Sequence, residues 1–166
     1  MMATHCLRDM TEGDTAACAA IVCASVVGER YGFKPDAMAA VLRAALVSGS
    51  ELFVAELAGL EAGRVAGFAW IDPRGAFSSA PYLRLIAVDE SLRGSGVGAA
   101  LLAEFESRTA LVGRDWCLLV SDFNEAAQSF YARHGYVKSG VLPDFARDGI
   151  TELLMVKRRG RQSRVN

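Results

Sequence analysis

Histidine is scarce: His5 and His134 are the two in 166 residues. The four cysteines, Cys6, Cys18, Cys23 and Cys117, form no CxxC pair, so a metal centre has little to draw on and none is expected. Cys18 and Cys23 fall within one apolar helical stretch, where they read as small buried hydrophobes. All four read as reduced thiols of a cytoplasmic protein. No apolar run approaches the ~20 residues of a membrane span. Residues 15–27 are apolar enough for a signal-peptide core, but Asp9, Glu12 and Asp14 precede them where a basic segment is needed. Neither export nor membrane insertion is expected. No Gly-Lys-Ser/Thr is present, which excludes a Walker-type nucleotide loop. The formal net charge of −1 gives no general drive toward nucleic acid or an anionic membrane. What the chain does have is enough apolar residue, 52%, to build a core without staples. Residues 1–158 read as one domain, and 159–166 as a basic, frayed tail.

Hydrophobic period and turn chemistry give the order β-α-α-β-β-β-α-β-α-β-β, a mixed α/β sheet with helices on its faces. Residues 4–9 form a first strand. Thr11 to Asp14 cap a helix running to about Val27, and Gly28 to Pro35 form a loop mixing aromatics with charges. A second helix covers 37–47. Strands 52–57 and 64–71 make a hairpin, and 72–81, with Pro73, Gly75 and Pro81, read as a loop. Strand 82–88, a helix from Val97 to near Gly113, strand 116–121, helix 124–134 and strands 136–142 and 150–157 complete the order.

The stretch Tyr82 to Val112 carries the strongest chemical signal. A largely buried strand ends at Val88, and Arg93-Gly94-Ser95-Gly96-Val97-Gly98 leads into an amphipathic helix. The first N–H groups of a helix lack intrahelical acceptors, and its dipole adds partial positive charge there. Glycines admit an anion to the backbone, and Arg93 adds a forked donor set suited to phosphate oxygens. The bland alternative is a surface turn with a helix cap. The spacing Arg-x-x-Gly-x-Gly between strand and helix resembles the acyl-CoA signature of the GNAT family of N-acetyltransferases.

A second stretch agrees. In Asn124-Glu125-Ala126-Ala127-Gln128-Ser129-Phe130-Tyr131, ~100° per residue puts Asn124, Ala127 and Tyr131 on one helix face. Phe130 points elsewhere with Ala126 and Phe123, giving a face read as the core-like one. The run, followed by Gly135-Tyr136, is similar to the second GNAT motif, and the element order follows the family along essentially the whole chain.

The resemblance implies a centrally splayed sheet and acetyl-CoA as donor. It implies that Asn124 contacts the pantetheine arm, with Ala127 beside it, and that Tyr131 protonates the departing thiolate. A phenol, neutral at pH 7, can give a proton to a thiolate. A backbone N–H in Ile86-Ala87-Val88 would face the thioester oxygen, and Arg93 to Gly98 would hold the diphosphate. The bland reading of Tyr131 is a core aromatic. One departure matters: where many relatives carry a Glu base, this chain has Arg84. Glu29, Asp72, Asp144 and Asp148 are the alternatives, Glu29 being preferred, and an amine that arrives already neutral through water needs no base. Glu29, Tyr31, Phe33, Trp70, Phe77, Asp144, Phe145 and Asp148 are the residues that could line an acceptor site.

The expectation is an N-acetyltransferase acting on a primary amine, a small molecule or a peptide N-terminus, by direct attack on the thioester. Two rivals stand beside it. One is a non-catalytic acyl-CoA-binding module. The other is a dinucleotide-binding domain, since Gly94 to Ala99 also fits G-x-G-x-x-A, though five residues separate that motif from its strand and only one further helix follows. The family also allows a homodimer.

Overall fold

The computed structural model describes residues 5–159. Thr4, the expected start of the first strand, and all of the expected tail but Arg159 lie outside them. The chain is mixed α/β, and its contacts divide it into two units. The first takes residues up to Asp72 together with Leu83–Ala110; the second takes Pro73–Tyr82 and the residues from Leu111 onward.

The first unit contains β1 (His5–Asp9), α1 (Thr15–Cys23), α2 (Val26–Tyr31), α3 (Pro35–Val47), β2 (Glu51–Leu57) and α4 (Val97–Arg108). It also holds most of β3 (Val65–Ala76) and β4 (Ala80–Val88). Its strands lie in the order β1-β2-β3-β4, with β1 antiparallel to β2 and β2 to β3. β2 is buried on both faces at Leu52–Ala55, which is why its sequence is continuously apolar rather than alternating. One face packs Leu52, Val54 and Phe68 against Cys18, Val22 and Leu42 of α1 and α3. Val97, Leu101 and Phe105 anchor α4, each fully buried and contributing about 2 kcal/mol.

The expected helix 15–27 is two helices. Ser25 ends the first turn of chain beyond α1 and caps α2, accepting the Gly28 N–H on its hydroxyl. A Cβ on Gly28 would lie 2.2 Å from the Val22 carbonyl oxygen, so the corner between α1 and α2 requires glycine. Glu29 and Tyr31 therefore sit on α2, not in a loop, and Gly32 at φ 68° ends it.

The expected loop 72–81 is also corrected, because β3 and β4 run through it to a two-residue turn. Phe77 and Ser78 take φ 53° and 55°, and Ser79 N–H donates to the Ala76 carbonyl at 3.0 Å. That geometry ordinarily uses Asn-Gly, so Phe-Ser gave no hairpin signal. α4 stops at Arg108, short of Gly113, where Thr109 turns its hydroxyl onto the Phe105 carbonyl.

The second unit contains the turn end of that hairpin, β5 (Asp115–Ser121), α5 (Glu125–Arg133), β6 (Val137–Leu142) and β7 (Glu152–Arg158). β7 lies between β5 and β6 and is antiparallel to both. Among the described residues no helix is long and apolar enough to cross a membrane.

Candidate functional site

In the first unit, Val88 ends β4, and Asp89 N–H still pairs with the Ala66 carbonyl of β3 at 2.8 Å. β3 and β4 meet so closely that a Cβ on Gly67 would lie 2.7 Å from the Ala87 carbonyl oxygen. Asp89 then closes a short turn, accepting Ser91 N–H at 2.9 Å and the Ser91 hydroxyl at 2.7 Å. Arg64 reaches the same carboxylate at 2.9 Å and Ser91 Oγ at 3.0 Å. The Ser91 hydroxyl, then Arg64, hold the Asp89 carboxyl below its ordinary range, so it is ionised but neutralised in place.

Arg93 follows in extended conformation, half exposed, with Glu90 at 3.8 Å. Gly94 at φ 76° and Gly96 at φ 93° turn the chain into α4 through the left-handed region. Gly96 is the N-cap, and no described side chain caps the helix. The space where a Gly94 Cβ would stand is open. A twelve-residue helix thus presents uncapped N–H groups beside a cation, the donor set a diphosphate needs. The residues fit coenzyme A at this point.

Val88 and Arg93 share a groove of about 210 Å³ with Ala20, Ile21 and Ala24 of α1 and its C-terminal end. These three went unrecognised in the sequence; the exposed alanines of α1 were the available signal. Ala87 is buried, and Ile86 and Val88 are half-buried. The position expected to hold a base is a cation instead: the Arg84 guanidinium lies 4.7 Å from the Trp70 ring centre. Glu29 is exposed on α2, while Tyr31 and Phe33 rings approach to 5.6 Å. Asp72 is half-buried.

In the second unit, Asn124 caps α5, its Oδ1 accepting Ala127 N–H at 3.2 Å. With that oxygen committed, the side-chain NH2 is what Asn124 can offer a ligand. Ala127 is half-buried and small. Tyr131 is 6% exposed, the one buried residue of α5, with Tyr136 edge-on at 5.8 Å. This reverses the expected faces: Tyr131 lies on the buried side, and half-buried Phe130 stacks on His134 at 4.5 Å. Burial, and then nearby Tyr82, push the Tyr131 phenol above its ordinary value, so it holds its proton at neutral pH.

Asp144 spends Oδ1 on the Gly149 N–H at 2.6 Å, and Asp148, Phe145 and Phe77 are exposed. A pair absent from the sequence reading stands out here. Ser121 and Glu152 are both buried, and the Ser121 hydroxyl donates to Glu152 Oε1 at 2.9 Å.

Comparison with known proteins agrees with this fold. The family model described as Acetyltransferase (GNAT) domain matches residues 48–138, more than half of the chain. A GNAT-family structure from Desulfovibrio desulfuricans superposes with TM-score 0.76 at 24% identity, covering 93% of this chain and 99% of its own. Ard1 from Thermoplasma volcanium gives 0.74 at 24% identity, covering 93% and 97%. The yncA protein of Salmonella typhimurium, solved with its cofactor acetyl-CoA, gives 0.67 at 18% identity, covering 96% of each. No curated protein sequence matches the chain. With the fold, the uncapped helix mouth behind Arg93 and the matched domain in agreement, the chain belongs to the GNAT acetyltransferase family, whose acetyl donor is acetyl-CoA.

Proposed function

We propose that the protein is an N-acetyltransferase that moves the acetyl group of acetyl-CoA to a primary amine by direct attack on the thioester. The observation that carries this is the mouth of α4, where Gly94 and Gly96 clear the backbone, no described side chain caps the helix, and Arg93 stands beside it. Bound there, acetyl-CoA supplies an activated acetyl thioester. The N–H groups at the start of α4 and the Arg93 guanidinium bind the diphosphate. The Asn124 NH2 donates to the pantetheine arm, and Ala127 leaves room for it. A main-chain N–H among Ile86, Ala87 and Val88 stabilises negative charge on the thioester oxygen, an effect of roughly 3 kcal/mol per donor. Tyr131, protonated at neutral pH, gives its proton to the departing sulfur. Four unpaired thiols suit the reducing cytoplasm as its place of action.

The acceptor is a primary amine, of a small molecule or at a peptide N-terminus. Calorimetry with coenzyme A, followed by thiol release from acetyl-CoA against small amines and peptides, tests the reading. Binding of coenzyme A with turnover of at least one amine is the expected result. Absence of binding overturns the cradle, and binding without turnover on any amine overturns the transferase assignment.

A further inference from the structure

Arg8, Arg64 and Arg108 of the first unit are each held by carboxylates. Arg84 of the same unit is not. It is exposed, its guanidinium lies over the Trp70 ring at 4.7 Å, and no carboxylate among the described residues pairs with it, Asp72 of β3 included. A guanidinium laid on an indole keeps its in-plane N–H donors pointing outward, and that fork matches the two oxygens of a carboxylate.

Exposed arginines are common on any surface, and place is what separates this one. β4 carries Arg84 two residues ahead of Ile86, about 7 Å along an extended strand. Trp70, the ring under its head, stands three residues along β3 from Gly67, the point of close approach to the Ala87 carbonyl, or roughly 10 Å. Both ends of the side chain thus lie within about 10 Å, along the strands, of the main chain that faces the thioester in the proposed reading. A small acceptor covers that interval, with a hydrogen bond of about 2.9 Å at its carboxylate and its amine a few bonds further on. Trp70 and Phe33, both partly buried against the core of this unit, offer apolar surface for its body.

The sign of the charge discriminates as well. An acceptor whose only charge is its ammonium brings like charge beside an unpaired guanidinium. One that carries its own carboxylate replaces that repulsion with an ion pair. Resting on the N-acetyltransferase reading, we infer that the acceptor is a small amine bearing a carboxylate, an amino acid in the general chemical sense, and that Arg84 on its Trp70 platform binds that carboxylate. Arg84 selects and orients the acceptor; it neither moves a proton nor holds coenzyme A.

The test uses the full chain with acetyl-CoA. Each of a set of α-, β- and γ-amino acids is paired with its own carboxamide, which keeps the amine and removes the anion, and kcat/KM is read per unit of neutral amine. The wild type is expected to prefer its best amino acid over the matching amide by about tenfold or more, the worth of one charge-assisted contact. In Arg84→Gln the preference falls to about twofold or less, through KM for the amino acid more than through kcat, with coenzyme A affinity kept. Arg84→Lys, a cation without the fork, lies between the two. Absence of the preference in the wild type overturns the inference, and that comparison decides even where a variant fails to fold. Equal losses on amino acid and amide in Arg84→Gln with coenzyme A still bound, or turnover confined to peptides or to amines without a carboxylate, overturn it too. Those outcomes leave the transferase reading standing. A wild type that binds coenzyme A and turns over no amine overturns that reading, and this inference with it.

Discussion

The first unit carries eight Lys and Arg against thirteen Asp and Glu, a net of −5; the second carries ten against six, a net of +4. They also use charge differently. In the first, cations meet carboxylates as well as rings: Arg8 pairs with Asp14 at 2.8 Å and Glu56 at 2.5 Å, Arg64 with Asp89, and Arg108 with Asp9 and Glu104 at 2.7 Å each, while Arg84 lies on Trp70 and Arg108 also on Phe53. In the second, cations lie on rings: Arg159 stands 4.5 Å and Lys157 5.5 Å from the Trp116 ring centre. The proposed anion cradle nevertheless belongs to the acidic unit. In the proposed reading, phosphate recognition there rests on main-chain amides and one arginine, at a range where local donors outweigh a net field. The basic unit holds the neutral phenol instead.

Changes that break this contrast differ in size. Tyr131→Phe removes the proposed proton donor of the second unit and leaves its aromatic packing, so kcat should fall by roughly 100-fold while coenzyme A affinity, measured by calorimetry, stays constant. A fall under about twofold removes Tyr131 from proton transfer. Arg93→Ala gives the opposite pattern in the first unit: coenzyme A binding weakens by about tenfold, the worth of one charge-assisted contact, with Tm unchanged. Unchanged affinity rules out Arg93 as a cradle residue.

Asp14 sharpens the comparison through stability. The Arg8 hydrogen bond holds its carboxyl at about 2 against the usual 3.8. A depressed folded value stabilises above the unfolded pKa and is lost as pH falls toward 2. With Arg8 partly exposed, the contribution is about 1–2 kcal/mol. Denaturant unfolding of the wild type should lose that amount between pH 4 and 2, and Asp14→Asn should flatten the slope there. The smallest change is at the hairpin end of the second unit. Phe77→Asn with Ser78→Gly supplies residues that accept positive φ and should raise stability by about 0.5–1 kcal/mol, read as a Tm gain of a few degrees.

Apart from the split of the first helix, the order of elements was legible in the sequence because period, glycine position and cap chemistry are local signals. The proposed cradle was read from Arg93 to Gly98 alone. Three features were not legible because non-local contacts decide them. Gly28 looked like the start of a loop, and its role as the contact point of two helices depends on the Val22 carbonyl. The Phe77-Ser78 turn carries no residue that favours its own geometry. Helical period placed Phe130 in the core, whereas the surroundings of α5, including Tyr136, bury Tyr131. Glu152 was overlooked for the same reason, since only strand pairing brings it to Ser121.

Asn124 has two duties with one amide: its oxygen starts α5, and its nitrogen is the half left for a ligand. In the proposed reading, grip on a cofactor and the footing of the helix that bears the phenol are thus wired to a single side chain. A substitution at this residue disturbs both at once.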